Sequence, residues 1–182
     1  MKILIISVPR SGSTSLMNNI SKWCCLKPID EPFNSRIPSI TKKYLDYTTD
    51  DIVVKTITGH DDRYFHEPDW NYWKSFMLKL IPQFDKTILL TRLDTQAQLE
   101  SLSYAVYFDK WHEPYNYEPV RDKTMISDLK EYMEVCNKNI RELRDELQKI
   151  GIHLEIKYYE DFFDINSKDR LRQESKTNNT LL

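Results

Sequence analysis

Short apolar runs alternate along this chain with longer stretches in which apolar residues recur every three or four positions. Ile3 to Val8 (ILIISV) is a nearly unbroken β-favouring run, the pattern of a strand buried on both faces. Pro9 has no N–H for a ladder and ends it. Leu16, Met17 and Ile20 follow at helical spacing and predict a helix from Ser13 to about Cys24. Prolines at 28, 32 and 38 argue against a helix or a central strand, so Lys27 to Asn34 reads as a loop. Asp51 to Ile57 (DIVVKTI) is a second buried strand with Lys55 near its C-terminal end, followed by a polar loop from Gly59 to Pro68. Trp70, Trp73, Phe76, Met77 and Leu80 predict a helix over 70–81 that packs on a sheet.

Lys86 to Thr91 (KTILLT) is a third strand and leads into Arg92. Thr95 and Gln98 form a T-x-x-Q capping box that opens a helix to about Phe108. The apolar positions Leu129, Met133, Cys136, Ile140, Leu143, Leu147 and Ile150 define a long helix over about 125–150, with Gly151 as its stop. His153 to Tyr158 is a last strand. Strands alternating with helices predict βαβ units and a mostly parallel sheet. The expected fold is therefore a P-loop-like, three-layer α/β/α domain over 1–166, with a polar tail over 167–182. Ligands of such sheets sit beyond the C-terminal ends of the strands, where Arg10, Lys55 and Arg92 fall.

The candidate chemistry begins in Arg10-Ser11-Gly12-Ser13-Thr14-Ser15, between the first strand and the first helix. A small-residue loop there aims free backbone N–H groups and the positive end of a helix dipole at one point, a place for phosphate or sulfate. The hydroxyls of Ser13, Thr14 and Ser15 add donors, and Arg10 adds a planar cation. The chain has only three glycines, and Gly12 sits where backbone must approach an anion closely. An ordinary helix-capping turn has the same composition. An ATP or GTP loop requires G-x-x-x-x-G-K-[ST], whereas this loop has one glycine and no lysine at the required place. Arg92 at a strand end and Ser101 on the next helix can grip one anion from two sides; alternatively Arg92 pairs with Asp94 and Ser101 faces solvent.

The loop Pro9-Arg10-Ser11-Gly12-Ser13-Thr14 resembles the 5′-phosphosulfate loop of sulfotransferases that use 3′-phosphoadenosine 5′-phosphosulfate (PAPS), in the form found in bacterial trehalose and tyrosylprotein sulfotransferases. Leu90-Thr91-Arg92-Leu93-Asp94 with Ser101 resembles the 3′-phosphate motif of the trehalose-type enzymes, and Tyr159-Glu160-Asp161-Phe162 resembles their Y-E-D-L turn. The likeness covers roughly 2–34, 86–105 and 153–163. It implies sulfuryl transfer from PAPS, leaving PAP, to an acceptor hydroxyl on a small molecule, glycan or peptide, without a metal. Arg10 to Ser15, Arg92 and Ser101 would bind the cofactor. Glu31, in Glu31-Pro32-Phe33, is similar to the glutamate base of a G-E-P segment, with Asp30 in place of the glycine. Cytosolic relatives use a histidine in K-T-H; this chain reads Lys55-Thr56-Ile57, with His60 as the nearest substitute. Lys55 would stabilise charge on the departing oxygen or snorkel from its strand end, and Arg10 and Lys55 would supply the electrostatics.

Composition narrows the setting. A net charge of −2 gives no basic field for nucleic acid. The N-terminal apolar run is too short for a signal segment, and no stretch approaches a membrane span. Cys24, Cys25 and Cys136 do not make a disulfide framework, so a reduced, cytoplasmic setting is expected. Tyr104, Tyr107, Phe108, Trp111, Tyr115 and Tyr117 line an acceptor pocket or pack in the core, which is favoured for Tyr104 and Phe108. His112 and Glu113 are reserve bases in that aromatic loop. The long helix lies on its own sheet or forms a dimer seam, leaving monomer and homodimer open. Arg170, Arg172 and Lys176 belong to a solvated tail or a lid over the cofactor. A P-loop phosphotransferase and a non-catalytic nucleotide-binding module are the rival functional readings.

Overall fold

The structure, a computed structural model, describes residues 1–32, 51–58, 70–110 and 119–163. The elements run β1 (Lys2–Ser7), α1 (Ser13–Cys24), β2 (Lys27–Asp30), β3 (Ile52–Ile57), α2 (Trp70–Leu80) with a 3-10 turn Ile81–Gln83, β4 (Lys86–Thr91), α3 (Thr95–Phe108), α4 (Lys123–Lys149), β5 (Ile156–Tyr158) and the one-turn α5 (Tyr159–Phe162). The five strands form one sheet in the order β2-β3-β1-β4-β5, and every pairing is parallel. Helices cover both faces, giving the expected three-layer α/β/α fold.

The period-two alternation of the strands sorts their side chains between the layers. Ile3, Ile5, Val53, Ile88 and Leu90 pack with Leu16, Met17 and Ile20 of α1. Leu4, Ile6, Ile52, Val54 and Leu89 face Trp73, Met77 and Leu80 of α2, Leu99 and Leu102 of α3, and Leu129, Met133, Cys136, Ile140, Leu143 and Leu147 of α4. The long helix thus lies on its own sheet, as its stripe suggests. β1 is central and covered on both sides, which explains its unbroken apolar run. From β1 the chain moves toward one edge through β2, and from β3 it crosses to the other side through β4 and β5. The strand order therefore reverses at β1, and the β1–α1 loop opens into the resulting crevice.

Several local expectations change. Lys27 to Asp30 is an edge strand, not a loop: Lys27 N–H and Glu31 N–H donate to Asp51 and Lys55 carbonyls at 2.9 Å each. That alternation turns the missing N–H of Pro28 away from β3, the one arrangement an edge strand tolerates. The T-x-x-Q box does not cap α3. Asp94 is its N-cap, accepting from Ala97 N–H at 2.9 Å, because a carboxylate one residue earlier reaches the first-turn amides. Asp122 caps α4 in the same way, three residues before the expected start at 125. Ile150 leaves the α4 stripe and is 59% exposed, since it is the residue where the helix turns off. Gly151 (φ 84) then closes a Schellman motif, with Ile152 N–H to the Leu147 carbonyl and Gly151 N–H to the Gln148 carbonyl. The last strand is shorter than its pattern: only Ile156 to Tyr158 pair with β4. Among the described residues no helix is long and apolar enough to cross a membrane.

The cap assignment is directly testable. Asp94→Ala should lower stability by about 1 kcal/mol, while Thr95→Ala should change it by no more than a few tenths. Urea denaturation of the two variants measures both.

Candidate functional site

Four segments converge at the carboxyl edge of the sheet: the β1–α1 loop, the end of β2, the β4–α3 loop and α5. The β1–α1 loop folds back through left-handed backbone at Arg10 (φ 57) and Gly12 (φ 76). Its shape is held from inside. The buried Ser11 hydroxyl donates to the Val8 carbonyl at 2.8 Å, and the Gln98 amide Nε2–H of α3 donates to the Pro9 carbonyl. Gly12 is the N-cap of α1 and has no side chain to offer the first-turn amides.

Lys55 follows Val53 on the α1 face of β3 and is 3% exposed. Its ammonium has three protons and three acceptors: Thr14 Oγ1 at 2.9 Å, Asp30 Oδ1 at 2.8 Å and Glu31 Oε1 at 2.9 Å. It does not snorkel. Register brings Asp30 beside Lys55, and a left-handed backbone at Glu31 (φ 45) carries the next carboxylate to the same ammonium. The two carboxylates remain partly open to water.

On the other side of the loop, Arg10 Nε–H donates to Ser101 Oγ at 2.8 Å. The Arg10 guanidinium is held below its usual value by burial and, secondarily, by the charge of Arg92. Arg92 stacks over the Tyr159 ring, 5.0 Å from guanidinium carbon to centroid. Its Nε lies 3.8 Å from Glu160 Oε1, beyond hydrogen-bonding distance, and is buried with no hydrogen-bond partner among the described residues. The Glu160 carboxylate instead accepts from the backbone N–H groups of Leu93 (3.0 Å) and Asp94 (3.2 Å). The two guanidiniums are close enough for one charge to act on the other, and among the described residues the buried Nε of Arg92 has no hydrogen bond.

Most of the sequence-predicted residues meet here. Arg10, Gly12, Ser13, Thr14, Lys55 and Glu31 surround one loop, and Arg92 acts electrostatically on Arg10. Three details come from the tertiary structure. Ser101 Oγ accepts from Arg10 Nε–H, so this hydroxyl reaches the β1–α1 loop from α3. Arg92 pairs with Glu160 and not Asp94, whose carboxylate is spent on the helix cap. Ser15 is exposed, and Ser11 uses its hydroxyl internally. Tyr104 is core, as favoured, and Tyr107 is exposed. His60, Trp111, His112, Glu113, Tyr115, Tyr117, Arg170, Arg172 and Lys176 lie outside the described residues.

Sequence reasoning missed Asp30, Gln98 and Glu160. Asp30 was legible only as a departure from a glycine. Gln98 carried one faint signal, its i, i+3 spacing to Ser101 on the face that grips the Pro9–Arg10 turn. No protein-family model matches the chain, and no curated protein matches it.

Tyr159 is packed so tightly on the loop that a Cβ at residue 12 would lie 2.3 Å from its Cδ2. Gly12 is required twice, for its φ and for this approach. Gly12→Ala should destabilise the fold by at least about 1–2 kcal/mol from the backbone alone, with the clash adding to it. Chemical denaturation checks this; an unchanged midpoint would mean that Tyr159 does not sit on the loop.

Proposed function

We propose that this protein is a PAPS-dependent sulfotransferase that moves a sulfuryl group onto an acceptor hydroxyl. One observation carries the reading. Arg10 and Arg92 lie close enough for their charges to interact beside the strand–loop–helix turn, and among the described residues the buried Nε of Arg92 has no hydrogen bond. A nucleotide with two separate anionic groups satisfies that arrangement, one group at the loop with Arg10 and one at Arg92. PAP and PAPS carry their phosphates at the 5′ and 3′ positions and fit this demand; AMP meets half of it. Three free cysteines fit a reduced compartment such as the cytoplasm.

The chain's own residues divide the work. The loop amides and Arg10 hold the 5′ group, Ser101 aims Arg10, and Arg92 takes the 3′-phosphate. PAPS supplies the sulfuryl group, whose bond to the bridging oxygen of the 5′-phosphate breaks as the bond to the acceptor oxygen forms. Glu31 takes the acceptor's proton, and Lys55, beside Thr14 in the loop, balances the charge left on the nucleotide. A specific observation favours the second reading, a nucleotide-binding module without turnover: all three Lys55 protons are already taken, and Glu31 is one of the acceptors. Turnover requires that cluster to release at least one contact.

Thermal denaturation with PAP, AMP and ATP tests the cofactor. A stabilisation by PAP that exceeds those by AMP and ATP at equal concentration is expected. Arg92→Ala should weaken PAP about tenfold or more, from a charge-assisted bond worth about 1.5–3 kcal/mol, and leave AMP nearly unchanged. Ser101→Ala, acting through Arg10, should weaken both nucleotides alike. Equal stabilisation by ATP and PAP sinks the assignment.

Glu31→Gln separates the enzyme from the binding module. With an acceptor found by screening sugars, phenols and peptides against labelled PAPS, turnover should fall by about 10²–10⁴-fold while PAP affinity holds. Full turnover in the variant removes Glu31 from the base role.

A further inference from the structure

The dipeptide Tyr159–Glu160 touches both cationic loops and belongs to neither. Tyr159 lies against Gly12 on one side and under the Arg92 guanidinium on the other. Phe163 stacks on the same ring, with centroids 4.6 Å apart and planes at 22°, so the ring is wedged. Glu160 places one carboxylate oxygen on the N–H of Leu93 and the other on the N–H of Asp94. Asp161 ties the turn down by accepting from Tyr158 N–H at 2.8 Å.

We propose that Tyr159 and Glu160 are positioning residues that set the separation between Arg92 and the β1–α1 loop. The proposal rests on the reading that those two points bind two anionic groups of one nucleotide. Glu160 fixes the main chain that carries Arg92. Because both of its oxygens serve backbone amides, it attracts the guanidinium from 3.8 Å without using the guanidinium's donors. Tyr159 supports the guanidinium from below through its π face, which also leaves the N–H donors in the ring plane free. Since Gly12 meets the Cδ2–Cε2 edge of the Tyr159 ring while the guanidinium lies over its face, the seat of this one ring sets the distance from loop to guanidinium. A glutamine at 160 has a single acceptor oxygen for two N–H groups and no charge, so it does this work only in part.

Two measurements on the full chain test it. In ligand-free protein, the edge of the Tyr159 ring should shift a Gly12 α proton downfield in NMR spectra; Glu160→Ala should remove most of that shift. By calorimetry, Glu160→Ala should lose tenfold or more in PAP affinity while AMP stays within about twofold, and Glu160→Gln should fall between. Should Glu160→Ala fail to fold, Glu160→Gln carries both measurements. An unchanged Gly12 shift in a folded variant overturns the proposal, as do equal losses for PAP and AMP, or a rise in PAP affinity that marks Glu160 as a mere competitor. If the unaltered protein binds neither nucleotide, the sulfotransferase reading fails, and the Gly12 shift still decides whether Glu160 holds Tyr159 on the loop.

Discussion

An ammonium group shut away from water has to be neutralised where it sits, and much of the geometry at the carboxyl edge of this sheet follows from Lys55. Its strand is central enough to bury the side chain, so the acceptors must come to it. Thr14 arrives with the first turn of α1, Asp30 with the end of β2, and Glu31 through a left-handed backbone that most residues avoid. That single cation therefore joins a helix and two strands. It also gives a reason for β2 to pair in parallel at the sheet edge despite its proline: the pairing carries Asp30 to Lys55. Replacing such buried charges by apolar residues is often neutral or better for stability, so the cluster is more readily understood as serving the loop beside it.

The cations on the other side are treated differently. Lys55 is saturated by acceptors, whereas Arg92 has an attraction without a hydrogen bond at its buried nitrogen among the described residues. Arg10 is gripped by Ser101 and loses some affinity for its proton to burial and to Arg92. The two guanidiniums are close enough that the charge of Arg92 bears on Arg10, an unfavourable interaction that the nearby Glu160 carboxylate offsets in part. The contrast sorts the proposed chemistry in space. In the function proposed above, nucleotide anions would sit with the arginines, and proton transfer with the carboxylates around Lys55.

Much of this was legible in the chain itself. The runs ILIISV and KTILLT and the stripes on α1, α2 and α4 are local patterns with one physical meaning, and each produced its element at nearly the expected bounds. The edge strand was hidden because a proline in a four-residue segment reads as a breaker, and only the neighbour at β3 makes it a strand. The cap of α3 was misplaced because Thr95 and Asp94 both suit the position by type. Which one lies outside the helix depends on where the chain leaves β4. Arg10, Lys55 and Arg92 were placed at strand ends by pattern alone, but their partners were not.

By itself, then, the sequence determined a parallel α/β fold with a small-residue strand-to-helix loop after its first strand, because hydrophobic periodicity and small-residue loops act over a few residues. Only the tertiary structure decided that Ser101 serves Arg10, that Glu160 stands beside Arg92, that Asp30 and Glu31 share one ammonium, and that Tyr159 rests on Gly12. Those pairings join residues far apart in the chain. Their geometry comes from strand order and helix packing, which bring the chain ends of separate βα units to one edge, and no local pattern encodes which side chains then lie within reach.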